Sequence, residues 1–242
     1  MKYKYVFSAI FFFIIINSTY SQIAHNLNGN WSYEYSGISE GLGRFGVTVT
    51  LTIRGENYMR YADRVSEFGM HWDHCEIGRI VISENEIQLI PEALRGQMSP
   101  WRKGGTNDIS RYRYILNGRD LVLMQNNNTE LYRKTSELDN DQLLIYTGSM
   151  SGPQNLNIKL VVGDIGNIYY MYYRNGNYGD PINLWGNFEN GVLILNEPDE
   201  NYENRASMRF NNFNPNANTI TGIWQDLRSG RSANRYDLRL SK

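Results

Sequence analysis

The sequence predicts an all-β protein built as two tandem antiparallel up-and-down β-barrels, and three observations carry that prediction. Apolar residues recur with period two in short runs, clearest in Val47-Thr48-Val49-Thr50-Leu51-Thr52-Ile53, which is the spacing of half-buried strands. Turn pairs such as Asn117-Gly118, Asn175-Gly176 and Asn190-Gly191 fall between such runs, where the backbone needs positive φ angles. No stretch keeps apolar spacing of three and four through three helical turns, so helix is a minor component.

Taken in order, the runs place a first set of strands near residues 30–36, 46–54, 57–65, 69–76, 79–83, 86–90, 110–117 and 119–125, with a closing strand at 129–135. A second set follows near 143–150, 156–162, 167–174, 182–188, 191–197, 205–211, 218–226 and 234–240. Between them Ser136-Glu137-Leu138-Asp139-Asn140-Asp141 is polar and acidic, the composition of a boundary, so the domains are expected at 22–136 and 143–242. A meander of this strand number can close on itself, which removes the unpaired edges that would otherwise aggregate.

The chain begins with the basic Met1-Lys2-Tyr3-Lys4, continues with the apolar run Val6–Ile16 and reaches the small residues Thr19-Tyr20-Ser21. That is the layout of an export signal over residues 1–21, and it predicts a secreted or periplasmic protein. The run is too short for a membrane span, and no cysteine follows it to carry a lipid, so no membrane anchor is expected. Cys75 is the single cysteine; it cannot form an intrachain disulfide and is expected to be buried. The chain carries 24 Lys and Arg against 25 Asp and Glu, a net charge of -1, which argues against a polyanion binder and hence against a nucleic-acid partner.

The first half opens on Leu27-Asn28-Gly29-Asn30-Trp31 and ends on Leu131-Tyr132-Arg133, and in this it resembles the lipocalin-like members of the calycin superfamily. The likeness implies that Trp31 closes one end of a barrel and that Arg133 packs across its ring, a structural plug held by a cation–π contact. The second half, through Ile182-Asn183-Leu184-Trp185-Gly186 and Thr221-Gly222-Ile223-Trp224, resembles small secreted bacterial β-barrel domains of unsettled activity. Calycins bind small apolar molecules, saccharides or protein surfaces, and few are enzymes, so the resemblance implies binding and names no ligand.

Three regions are candidate sites. The segment Glu92–Asn107 shows no strand pattern and contains Pro100-Trp101-Arg102-Lys103-Gly104-Gly105; Trp101 with Arg102 either meets a ligand or partner, or Trp101 lids the barrel. In Ile168-Tyr169-Tyr170-Met171-Tyr172-Tyr173-Arg174, alternation puts Tyr170, Tyr172 and Arg174 on one face, so Tyr170, Tyr172 and the nearby Trp185 are candidate ligand contacts, with packing as the plainer role. Glu197 shares a strand face with Leu193 and Leu195; drawn inward it needs Arg209, Arg239 or a tyrosine hydroxyl as partner, and a structural ion pair is favoured over a catalytic acid.

Met70-His71-Trp72-Asp73-His74-Cys75 gathers reactive residue types, yet on a strand His71 and Cys75 stand about 13 Å apart and His74 points to the opposite face. Neither a metal site nor a Cys–His nucleophile is expected from it. No Gly-x-Ser-x-Gly elbow, phosphate-binding glycine-rich loop or paired Cys-x-x-Cys is read in the chain. The expectation is an exported binding protein without cofactor, not an enzyme, that takes a small apolar or saccharide ligand at a barrel mouth. The alternatives are a protein-surface binder, such as an inhibitor or toxin-neutralising protein, and a hydrolase using a barrel-mouth carboxylate.

Overall fold

A computed structural model describes residues 26–39, 43–96, 101–136, 143–152, 156–163, 179–198, 203–228 and 234–242, and the backbone of 170–174. The expected export signal at 1–21 and nearly all of the boundary segment 136–141 lie outside these residues. Contacts divide the chain into two compact units, one drawn from Met1–Glu92 and Gly104–Leu138, the other from Ala93–Lys103 and Asp139–Lys242. No helix among the described residues is long and apolar enough to cross a membrane.

The first sheet contains β1 (Gly29–Ser39), β2 (Gly43–Arg54), β3 (Asn57–Ser66), β4 (His71–Ile82), β5 (Glu86–Arg95), β6 (Arg102–Lys103), β7 (Ser110–Asn117), β8 (Asp120–Gln125) and β9 (Asn128–Ser136). Their order is β4-β3-β2-β1-β9-β8-β7-β5-β6, and β4 also pairs with β5, which returns the sheet on itself. Period two sets the inward face: Val47, Val49, Leu51 and Ile53 of β2 are all buried, while Arg44, Gly46 and Thr48 are exposed. With Trp31, Tyr58, Ile80, Ile87, Leu89, Leu121, Leu123 and Tyr132 they form one core.

The sequence reading splits β4 into 69–76 and 79–83. The strand in fact runs through the gap. A Cβ at Gly78 would stand 2.1 Å from the Ile90 carbonyl oxygen, so the glycine is where the backbones of β4 and β5 press together rather than a turn. Turn chemistry elsewhere follows the sequence, with Gly118 at φ 59° between β7 and β8.

Trp31 is fully buried at one end of this sheet, and its Nε1–H donates to the Leu27 carbonyl at 2.8 Å. Its cation differs from the expected one. Even-numbered residues of β9 face inward with Tyr132, so Arg133 turns outward to lie 3.8 Å from Asp120, and the Lys134 ammonium stands 5.7 Å from the Trp31 ring centroid instead.

The second unit is a closed antiparallel barrel of β10 (Leu144–Met150), β11 (Leu156–Val162), β12 (Tyr170–Arg174), β13 (Ile182–Glu189), β14 (Val192–Pro198), β15 (Asn204–Phe210), β16 (Thr219–Asp226) and β17 (Arg235–Ser241). Closure pairs Thr147–Met150 of β10 with Leu238–Ser241 of β17. Among the described residues its interior is packed with its own side chains, including Tyr146, Leu160, Leu195, Met208, Phe210 and Trp224.

Candidate functional site

The same pleat that builds the first core also turns charged side chains toward it. Tyr58, Arg60 and Ala62 share one face of β3; Glu76 shares a face of β4 with Ile80; Glu130 shares a face of β9 with Tyr132. Register sets Arg60 opposite Glu76 and Leu51, and Ala62 opposite His74 and Val49. A charge on an inward face is costly unless it is paired.

Arg60 meets that requirement with a fork. Its Nη2 donates to both carboxylate oxygens of Glu130, at 2.9 and 3.0 Å, and its Nη1 donates to the Tyr112 hydroxyl at 3.1 Å. The Tyr132 hydroxyl donates to Glu130 Oε2 at 2.8 Å. Glu76 Oε1 lies 3.9 Å from Arg60 Nη1, too far for a hydrogen bond, and has no hydrogen-bond partner among the described residues. The Tyr58 hydroxyl, on a fully buried side chain, has none either.

Burial governs the titration of this group. It pushes the Glu76 carboxyl above its ordinary value, with Glu130 and Asp108 pushing the same way and Arg60 opposing them. Burial also raises the Tyr58 and Tyr132 hydroxyls, and the carboxylates and tyrosines around Arg60 hold its guanidinium charged.

A raised Glu76 value has a defined sign in stability. The folded chain holds the Glu76 proton more tightly than the unfolded chain does, so this contribution is fully present below the ordinary value of 4.5 and is lost as pH rises through the raised one. Glu76→Gln is therefore expected to flatten the fall in stability as pH rises above 4.5, followed by the urea midpoint. Parallel pH profiles for the two proteins would contradict the assignment.

Above this group opens a cavity of about 480 Å³. Arg60 and Glu130 line it together with His74, Tyr33 and Tyr35, and the turn residues Asn127 and Asn128 complete its polar wall. Val49 and Ala62 supply the apolar part. The Tyr33 and Tyr35 rings stack at 5.5 Å with 25° between their planes, and Tyr33 also meets Tyr132 at 5.6 Å. At the rim the Arg64 guanidinium sits 3.7 Å over the Phe45 ring and 5.5 Å from Trp72. The arrangement offers a flat aromatic wall beside a charged donor–acceptor pair, at the end of the sheet away from Trp31.

No protein-family model matches the chain, and no curated protein matches it.

The residues singled out from the sequence lie elsewhere. Trp101 is 4% exposed, with the Arg95 guanidinium 5.6 Å from its ring centroid, so its ring offers little contact surface; Arg102 beside it is exposed, and residues 97–100 of that loop lie outside the described residues. Tyr170 and Tyr172 are in β12, paired with Leu184 and Ile182, and their side chains lie outside the described residues. Trp185 is 44% exposed, on the opposite face of β13 from buried Leu184.

Glu197 is 1% exposed and faces inward with Leu193 and Leu195, as alternation requires. Its cation is Arg205 at 3.6 Å, not Arg209 or Arg239. Those two occupy outward positions, between Met208 and Phe210 on β15 and between Leu238 and Leu240 on β17. Arg205, at the start of β15 beside Ala206, the register partner of Glu197, is the one within reach.

Cys75 is fully buried, as expected, while His74 on the opposite face of β4 lines the cavity. The described residues contain no group of metal-ligating side chains. Two motif strings escaped the sequence reading: Gly37-Ile38-Ser39-Glu40-Gly41 spells Gly-x-Ser-x-Gly, and Gly41-Leu42-Gly43-Arg44-Phe45-Gly46 spells Gly-x-Gly-x-x-Gly. Both fall where β1 passes to β2, with Ser39 paired to Gly43 in an antiparallel ladder. The strand-to-helix context that a nucleophile elbow or a dinucleotide loop requires is replaced by strand to strand.

Proposed function

We propose that the chain is an exported binding protein of the calycin kind, without catalytic activity, which takes a small saccharide into the open end of its first barrel by non-covalent contact. The observation that carries this reading is the cavity of about 480 Å³ lined by the stacked Tyr33 and Tyr35 and by the Arg60–Glu130 pair. A sugar ring presents a flat C–H face to an aromatic wall and adjacent hydroxyls that both donate and accept. Glu130 accepts, Arg60 donates, and Asn127 and Asn128 can do either. An apolar ligand fits less well, because it would strip water from Arg60 and Glu130 without replacing those hydrogen bonds. Among the described residues the interior of the second barrel is filled by its own side chains, which supports placing the binding in the first.

The test is calorimetric titration of the full chain with a panel of mono- and disaccharides. At least one sugar is expected to bind saturably, and Tyr35→Ala is expected to weaken it roughly tenfold, the equivalent of about 1.4 kcal/mol of lost ring contact. Absence of saturable binding across the panel, or binding indifferent to Tyr33→Ala and Tyr35→Ala, contradicts the reading.

One observation favours a protein partner as second reading. Ile38 is 80% exposed and Phe68 68% exposed, and the turn carrying Phe68 is tied to β2 by the Glu67 N–H donating to the Arg44 carbonyl, opposite Ile38. An apolar rim of this kind serves a protein contact better than a sugar. Retention of a partner from the native extracellular medium by the wild type, lost in an Ile38→Ser, Phe68→Ser variant that still binds sugar, would separate the two.

A further inference from the structure

Beneath the cavity the polar groups do not balance. Arg60 supplies one positive charge against the two carboxylates of Glu76 and Glu130, and it donates its hydrogen bonds to Glu130 and Tyr112. Glu76 Oε1 and the Tyr58 hydroxyl face the same interior with no hydrogen-bond partner among the described residues, on side chains that are 7% and 0% exposed. They are diagonal neighbours across the β3–β4 ladder, since Tyr58 pairs with Gly78 and Arg60 with Glu76. Glu76 is the strongest charged influence on Tyr58. Buried polar atoms left unpaired mark a place where something polar belongs.

A neutral hydroxyl group could donate to Glu76 and accept from the Tyr58 hydroxyl, yet it would leave the excess charge untouched. A protonated amine satisfies both atoms with its N–H donors and neutralises the excess.

We propose that the saccharide bound in the first barrel is an amino sugar, whose ammonium group passes Arg60 and seats between Glu76 Oε1 and the Tyr58 hydroxyl. The assignment rests on the saccharide reading above and deepens it. His74 lies one inward step from Glu76 on β4 toward the cavity, Arg60 faces it from β3, Glu130 from β9, and Asp108 adds negative charge from the tight helical turn Thr106–Asp108. Burial raises the Glu76 carboxyl in the free protein and the arriving ammonium lowers it again, so binding releases to solvent whatever share of a proton Glu76 holds.

The experiment is titration of the full chain with glucosamine, glucose and N-acetylglucosamine, in two buffers of different ionisation enthalpy. Glucosamine is expected to bind at least tenfold more tightly than either neutral sugar and to release protons. Glu76→Gln should abolish both the preference and the release, and Tyr58→Phe should weaken glucosamine severalfold while leaving the neutral sugars unchanged. Should Glu76→Gln fold poorly, Tyr58→Phe and the buffer dependence of the wild type decide the matter. Neutral sugars that bind as well as glucosamine overturn the amine assignment and leave the saccharide reading standing. If none of the three binds, the assignment also falls, whereas the saccharide reading is decided by its wider panel.

Discussion

Replacing Arg60 with methionine should lower the stability of the first unit by roughly 3 kcal/mol, because it breaks a partly buried ion pair while leaving its anions in place. Methionine keeps much of the volume of the arginine stem, so the loss reports charge more than packing. Glu130 would keep only the Tyr132 hydroxyl of its present donors, and Glu76 would lose the one cation described near it. Adding Glu130→Gln to Arg60→Met should restore more than half of the loss, since the orphaned charge is then gone. A chain of two units need not unfold in one step, so the probe must report on the first unit, for example amide exchange along β3 and β9. A cost below about 1 kcal/mol would mean that water in the mouth already solvates these groups, as it does for exposed pairs.

Trp31→Ala is expected to cost about 4 kcal/mol, the range for emptying a large buried aromatic site. The indole is fully buried in the core with Leu27, and its removal also leaves the Leu27 carbonyl without its donor. Trp31→Phe should cost less, because most of the volume stays and only the hydrogen bond goes. The cavity lies at the other end of the sheet, so at low temperature Trp31→Ala should bind sugar as the wild type does, whereas Tyr35→Ala should bind it roughly tenfold more weakly. Loss of binding in proportion to loss of stability would instead mean that the two ends are not independent.

The strands were largely legible because an antiparallel sheet with one buried face writes its period directly into the sequence, as Val47 to Ile53 show. Where legibility failed, a residue was doing something other than its commonest job. Gly78 falls in the gap read between two strands but marks the close approach of β4 to β5, and β5 continues past Pro91 to Arg95 where no β-branched run announces it. The alternation rule that drew Glu197 inward would have found Arg60, Glu76 and Glu130 as well. It was defeated on β3 and β4 because both faces carry apolar residues: Met59 and Tyr61 flank Arg60, and buried Cys75 and Ile77 flank Glu76. With no clean apolar face to compare against, an inward charge reads as an outward one. Trp101 was open both ways, since a tryptophan beside Arg and Lys in a strandless segment fits a contact residue or a packing one, and its burial agrees with packing.

The central claim is that the open end of the first barrel is a binding site, and residue-resolved amide chemical shifts of the labelled full chain test it most directly. On titration with a saccharide that binds, shifts should concentrate at Tyr33, Tyr35, Arg60, His74 and Asn127–Glu130, with the second barrel unmoved. Shifts gathered instead around Trp185 and β12, or around Arg102, would contradict the account and return the site to where the sequence first placed it.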